Sequence, residues 1–479
     1  MVPEHLRFGG GVSESIFNPA VAVIMIISGL LILFLPRKYA VAPFLLTSIL
    51  IPTDQILLIG GLHFSTMRVL ILFGMIRIVL LKTQGKEIFS RGLNKIDKAL
   101  ILLSVTSAVA GILVFQETQA VIFQLGSLYN AFGAYFILRC FITDHEDVIT
   151  AIRVLAFIVL VVGGVMTIEQ LTNGWNLFFL LEGARGAWAM ERAGVIRAMG
   201  PFGHSLLAGT FGAVLVPVFF ALWRKERKYR ATAILGIIGA SVMTVASHSS
   251  TCLSALFAGL LGLSLWPLRN RMRVVRWGVV IVLVSLHMVM KAPVWHLISR
   301  LDLTGGSSGW HRYYLIDTSI SHFWEWWLIG TKSNADWGWD MFDTADQYVE
   351  HAVSGGLLAV IFFVAIIVYG FKYLGRARQA ATDKKQALFF WALGSALFAY
   401  TMSFIGISLW DQSIVGWYAF LALIGAVAVP HALKTTAPTP APSLGLKIDA
   451  GDGPANLRWD RPSPSRPRAY APLRRGNEY

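Results

Sequence analysis

Apolar runs long enough to cross a lipid bilayer recur along this chain, and they decide most of what it can be. A hydrocarbon layer of about 30 Å takes roughly 20 helical residues to cross. Runs approaching that length read at residues 17–35, 41–51, 66–81, 99–115, 120–142 and 148–168, and again at 205–223, 231–246, 253–267, 277–290, 356–371, 387–407 and 414–433. Inside lipid every backbone amide must be bonded within the membrane-spanning structure, and long runs rich in Leu, Ile, Val, Phe and Gly with no alternation give helices rather than a barrel. The expected fold is therefore all-α, a polytopic membrane protein of about 12 or 13 spans. The run at 41–51 is short by this rule and reads as a tilted or partial crossing.

The formal charge of +14 would suggest a nucleic-acid partner in a soluble chain, but here the Lys and Arg residues sit mostly in short loops between apolar runs. Arg224, Lys225, Arg227, Lys228 and Arg230 form one cluster, and Arg269, Arg271, Arg273 and Arg276 a second. Lys372, Arg376, Arg378, Lys384 and Lys385 form a third, and Lys82, Lys86, Arg91 and Lys95 a fourth. Counting the spans puts all four on one side, which the positive-inside rule makes cytoplasmic. The expected domains are then a transmembrane region over 1–433, with external loops at 169–204 and 291–355, and a tail over 434–479. That tail is basic and rich in Pro, Ala and Ser, too poor in apolar surface to fold, and is expected to be disordered and cytoplasmic. The polar N-terminus lacks the features of a cleavable secretory signal. Cys140 and Cys252 fall at opposite membrane faces, so no disulfide is expected between them.

Polar chemistry concentrates in residues 309–358, which contain WHRYYLIDTSISHFWEWWLIGTK and end in DTADQYVEHAVSGGLL. External loops are normally poor in Arg, yet Arg185, Arg192 and Arg197 lie in the first and Arg300 and Arg312 in the second. A guanidinium presents a planar fork that matches phosphate oxygens, which suits a diphosphate headgroup at the membrane surface. The competing reading pairs these arginines with Glu182, Glu191, Asp302 or Asp317 as structural ion pairs. Within the third apolar run, Arg77 is close enough to the cytoplasmic end to snorkel, whereas Arg68 lies near the outer end and is a third cation candidate for the diphosphate. Candidate bases are Asp346 and His351, with His311, Asp343 and His204 behind them. Trp310 and Trp337 are candidates to stack on sugar, while Trp324, Trp326 and Trp327 read as interfacial anchors. The polar turn Ser247, Ser249, Ser250 and Thr251 reads as backbone satisfaction. No metal-ligand motif such as HExxH or paired Cys appears, and no cofactor is expected.

IRAMGPFGHSLLAG at 196–209, ahead of a span, resembles the Arg, Gly, Phe and small-residue motif of the O-antigen ligase and O-antigen polymerase superfamily. WHRYYLID, WWLIGT and DQYVEHAVSGGLL are similar to that superfamily's large periplasmic loop and its exit helix. The resemblance implies an integral inner-membrane glycosyltransferase that handles undecaprenyl-diphosphate-linked glycans without a metal, with Arg197 and Arg312 at the diphosphate. Ligases of the family usually carry a His about eleven residues ahead of the Gly of Gly-Leu-Leu; that position is Ala345 here, next to Asp346, and the Asp-Gln-Tyr pattern leans toward the polymerase or exopolysaccharide branch. Expected partners are the lipid-linked glycan, a glycan acceptor, membrane lipid and other polysaccharide-assembly proteins, with no nucleic acid. The alternatives are a ligase acting on lipid A core and, in another class, a lipid-linked glycan flippase. The absence of an internal repeat and the concentration of unusual charge in external loops favour the enzyme over a transporter.

Overall fold

In the computed structural model the described residues are 15–60, 62–85, 92–181, 190–192, 194–300, 303 and 308–436. The expected tail beyond 436 lies outside them, as do Arg185, Glu182 and Asp302. Every apolar run read from the sequence is a helix. In chain order these are α1 (Pro19–Phe34), α2 (Arg37–Leu50), α3 (Thr66–Thr83), α4 (Lys95–Phe115), α5 (Thr118–Phe141), α6 (His145–Leu171), α7 (Ser205–Lys225), α8 (Arg230–Ala246), α9 (Ser250–Ser264) and α10 (Met272–Val289). Two shorter helices, α11 (Gly309–Ser321) and α12 (Phe323–Trp326), precede α13 (Gln347–Gln379), α14 (Lys384–Ser403) and α15 (Gln412–Thr436). The described strands form two small antiparallel hairpins, β1 (Ile56–Ile59) with β2 (Leu62–Ser65) and β3 (Glu191–Arg192) with β4 (Val195–Ile196).

Eight of the described helices are long and apolar enough to cross a membrane, and the fold is that of an all-α, multi-pass membrane protein. The difference from the expected 12 or 13 has physical causes. The helices α1 and α9 have 16 and 15 residues, and α2 has 14, which at 1.5 Å per residue falls well short of a 30 Å hydrocarbon layer. The helix α3 has 18 residues but carries Arg68, Arg77 and Lys82.

Local signals set the ends. Asn94 and Asp97 form a capping box on α4, and Asp144 and Asp147 form one on α6, each satisfying backbone donors that the first turn leaves open. Arg77 departs from the snorkelling expectation: it is buried and donates to the carbonyls of Ile32 and Leu35 at the end of α1. It supplies a cap there instead of reaching water. Both cysteines are free and buried.

The helices α7 and α15 are buried on nearly every side and form the centre of the bundle. Small residues permit the closest crossings: a Cβ at Gly163 of α6 would come within 2.8 Å of the Gly239 carbonyl oxygen of α8, and one at Gly239 within 2.6 Å of that of Val159. Asp97, fully buried, accepts from the Tyr135 hydroxyl at 2.5 Å and from Arg139 Nε at 3.1 Å, tying α4 to α5. By contrast α10 buries none of its residues and stands at the edge.

The helix α13 is broken where the sequence reads Ser-Gly-Gly. Gly356 has φ +70°, a left-handed conformation that glycine reaches without penalty. Residues 327–331, from the Trp-Trp-Leu-Ile-Gly-Thr stretch, lie along the break: Leu357 N donates to the Trp327 carbonyl at 2.8 Å and Thr331 N to that of Val353 at 2.9 Å. The crossing is so close that a Cβ on Gly356 would sit 2.5 Å from the Leu328 oxygen, and one on Gly330 2.2 Å from the Val353 oxygen.

Candidate functional site

The segment between α6 and α7 is held by side chains from α6 and α15 and by its own Asn176. The buried Glu169 carboxylate at the end of α6 accepts from the backbone N–H groups of Met199 and Gly200 at 3.0 to 3.1 Å. Gln170 Nε2 donates to the carbonyls of Ile196 and Ala246, and Asn176 Nδ2 to that of Gly200 at 2.6 Å. Gln412, at the start of α15, donates to the carbonyls of Ile51 and Pro201. The result fixes Arg197, whose N–H bonds Met190 and whose Nε donates to the Ser247 carbonyl at 3.3 Å. His204 then caps α7, its Nδ1 accepting from Leu206 N at 3.0 Å.

Arg312 comes from α11 in the second segment. Its Nε donates to the Gly406 carbonyl at 3.0 Å, in the turn between α14 and α15. A Cβ on Gly406 would stand 3.0 Å from that nitrogen and 2.7 Å from Thr251 Cγ2, so glycine makes room for the guanidinium. Arg197 and Arg312 are each 7% exposed, and both line one cavity of about 470 Å³ together with Arg192. Among the described residues none of the three makes an ion pair. Asp317, one of the carboxylates considered for pairing, accepts instead from Trp295 Nε1 at 3.0 Å.

Burial first, and then the like charges of Arg192 and Arg197, pull the Arg312 guanidinium down to about 10, with Asp343 opposing. Burial and Arg192 likewise lower Arg197. Three arginines therefore face two aspartates, Asp340 and Asp343, across the same space. Asp343 reaches the cavity's solvent, yet the surrounding walls desolvate its carboxyl and push it above the ordinary range, against the pull of His311 and Arg312. His311 Nε2 donates to the Asp340 carbonyl at 2.9 Å, which leaves Nδ1 as the acceptor in the neutral ring. Asp340 and His248 both hold left-handed backbone, φ +61° and +42°, uncommon for side-chain-bearing residues and concentrated at sites where geometry is imposed.

Of the residues singled out in the sequence, Arg197, Arg312 and Trp310 line this cavity, as do His204, His311 and Asp343. Trp310 is half exposed and stacks on Tyr314 with ring centroids 5.0 Å apart. Trp337 does not face the cavity: it is 5% exposed, stacks on His322 and donates Nε1 to Glu325 at 2.9 Å. It belongs to a small core of the segment with Leu315, Trp326 and Met341. Trp326 is thereby buried rather than interfacial, and donates to the Ser319 carbonyl. Trp339 and Trp410 are further exposed rings at the cavity, beside Trp310.

Asp346 and His351 are also outside the cavity lining. Asp346, 2% exposed, caps α13 by accepting from Tyr348 N at 2.8 Å and Val349 N at 3.0 Å. Burial raises its carboxyl to about 6, with those bonds and Arg312 working the other way. His351 lies a turn into α13 against Phe363, its Nε2 within 3.2 Å of Gln347 Nε2. Arg68 is apart from the other two cation candidates: its Nε donates to Asn130 at 3.2 Å and its Nη1 to the His63 carbonyl. Ser249 and Ser250, read as satisfying a turn, line the cavity as well.

His248, Trp339, Asp340 and Trp410 are cavity residues that sequence reasoning did not select. Trp410 and His248 sit in short turns between spans, where nothing local announces a site. No protein-family model matches the chain, and no curated protein matches it.

Proposed function

We propose that the protein is a glycosyltransferase that transfers or polymerises undecaprenyl-diphosphate-linked glycan at the periplasmic face of the bacterial inner membrane. The observation that carries this reading is the pair of buried arginines, Arg197 and Arg312, which open on one cavity at the end of an apolar helical bundle with no direct ion pair to a carboxylate among the described residues. A buried cation is costly unless a counter-charge meets it, and a lipid diphosphate supplies that charge while its chain remains in the bilayer. The basic loops cluster at the other end of the bundle, which supports placing the cavity outside under the positive-inside rule.

In the proposed reaction the acceptor hydroxyl gives its proton to a base and its oxygen attacks the anomeric carbon. The carbon–oxygen bond to the diphosphate breaks, and the electron pair leaves with the lipid diphosphate. Arg197 and Arg312 hold that leaving group, where their fixed charge counts for most as negative charge develops. Asp343 suits the base: its raised carboxyl lies closer to the operating pH, and it couples to Arg312 and His311. Inversion of configuration at the anomeric carbon follows from this single direct displacement. Trp310, Trp339 and Trp410 give the acceptor flat apolar surfaces.

Arg197→Ala and Arg312→Ala are each expected to abolish polymer while leaving the protein inserted and abundant, a loss of at least a hundredfold in rate. Purified protein given only lipid-diphosphate glycan should lengthen it if the polymerase reading holds. Elongation that requires lipid A core would make it a ligase, and normal polymer from both variants would remove the basis for the diphosphate site.

A further inference from the structure

At the end of the bundle away from the cavity, two tryptophans and two arginines converge from separate elements. Trp266 stands in the 3-10 turn Trp266–Leu268 that follows α9, and Trp391 in the second turn of α14. Their rings meet edge-on with centroids 5.9 Å apart, and Trp391 Nε1 is anchored to the Gly262 carbonyl at 2.9 Å. The Arg269 guanidinium lies 4.3 Å from the Trp266 ring centroid, and its Nη1 donates to the Trp266 carbonyl at 3.1 Å. Arg378, in the last turn of α13, lies 6.0 Å from the Trp391 centroid and donates Nη1 to Asn270 Oδ1 at 3.3 Å.

Asn270 follows Arg269 directly, so the two guanidinium groups are brought to one place by the same turn. Among the described residues neither makes an ion pair. Ordinary topology-setting arginines extend freely into water. These two are only partly exposed, are held by ring stacking and backbone or amide contacts, and leave most of their five N–H donors each uncommitted. Two like charges fixed side by side call for an anion between them. The turns of α9 before Trp266 expose Phe257, Leu260 and Leu261, an apolar surface for a chain attached to that anion.

We propose that Arg269 and Arg378, framed by Trp266 and Trp391, bind the phosphate of an anionic phospholipid headgroup whose acyl chains run along α9. The forked guanidinium matches phosphodiester oxygens in pairs, and indole rings favour the level where headgroups meet hydrocarbon. This site is distinct from the cavity and does not depend on the activity proposed for it.

The test is native mass spectrometry of the full-length, detergent-solubilised protein titrated with phosphatidylglycerol, with phosphatidylcholine as the neutral comparison. Arg269→Gln with Arg378→Gln should weaken retention of one phosphatidylglycerol on the order of tenfold or more. The charge-matched pair Arg227→Gln with Arg230→Gln, in another basic turn, should stay within about twofold. Equal losses in both pairs, or no loss in the first, would overturn the site. Displacement of the lipid by millimolar inorganic phosphate would overturn the lipid as its source. If the Gln pair does not fold, Arg269→Lys with Arg378→Lys carries the test: it keeps the charge but not the fork, so several-fold weaker retention is expected and unchanged retention refutes the geometry.

Discussion

The two arginines that sequence reasoning favoured, Arg197 and Arg312, are found at one cavity because each is pinned by a backbone carbonyl, Ser247 and Gly406. Their selection was possible because charge in a loop that should be poor in Arg is visible in sequence. What each acid or ring does was less legible, because burial is a tertiary property. Asp346 shows this. Its two backbone bonds make it a helix cap, so Asp346→Ala should lower thermal stability in detergent by about 1 to 2 kcal/mol. Asp346→Asn keeps the accepting oxygen and should retain both stability and activity; loss of activity with intact stability would restore it as the base. A pH test is independent. The folded carboxyl sits at about 6, above its ordinary 3.8, so the folded state binds that proton more tightly than the unfolded one. Its contribution to stability is therefore greatest below about 4, falls as pH rises to about 6 and is level above that. Asp346→Asn should remove that slope from a melting-temperature profile.

At the scale of elements, the helices were readable because their apolar runs are long, and the capping boxes at Asn94 and Asp144 agree with the ends. The break in α13 was not. The Ser-Gly-Gly sequence reads as the beginning of a span, and only the crossing of residues 327–331 shows that the helix starts a full two turns earlier and is interrupted. Gly356→Ala would combine a left-handed backbone with a Cβ 2.5 Å from the Leu328 oxygen, and Gly330→Ala a Cβ 2.2 Å from that of Val353. Each should cost about 3 kcal/mol or more, measured as a fall in melting temperature, with earlier proteolysis between α12 and α13. Gly164→Ala, whose Cβ meets nothing within 4 Å, should be close to neutral. Similar melting of all three variants would dismiss the close crossing.

For the molecule as a whole, spans and their order follow from hydropathy, but which helix occupies the centre does not. The central helices α7 and α15 and the peripheral α10 have comparably apolar sequences, and only the packing separates them. That position of α10 has a mechanical consequence. With no buried residue it is held by the bilayer more than by its neighbours, and its 18 residues span about 27 Å. From its end the chain enters the 3-10 segment Val294–Arg300, where Trp295 bonds Asp317 and His296 packs on Tyr313 at 4.7 Å, both on the helix that carries Arg312. A thinner bilayer must tilt this lever, and a thicker one must pull it upright and thin around its ends. Transfer rates in vesicles of increasing acyl length, at constant headgroup, should then pass through an optimum and fall several-fold on either side, while the melting temperature of the central bundle changes little. Rates indifferent to thickness would mean that α10 yields without moving Arg312. On this reading the membrane is a working part of the site, setting through one loosely held helix where a cation is presented to its substrate.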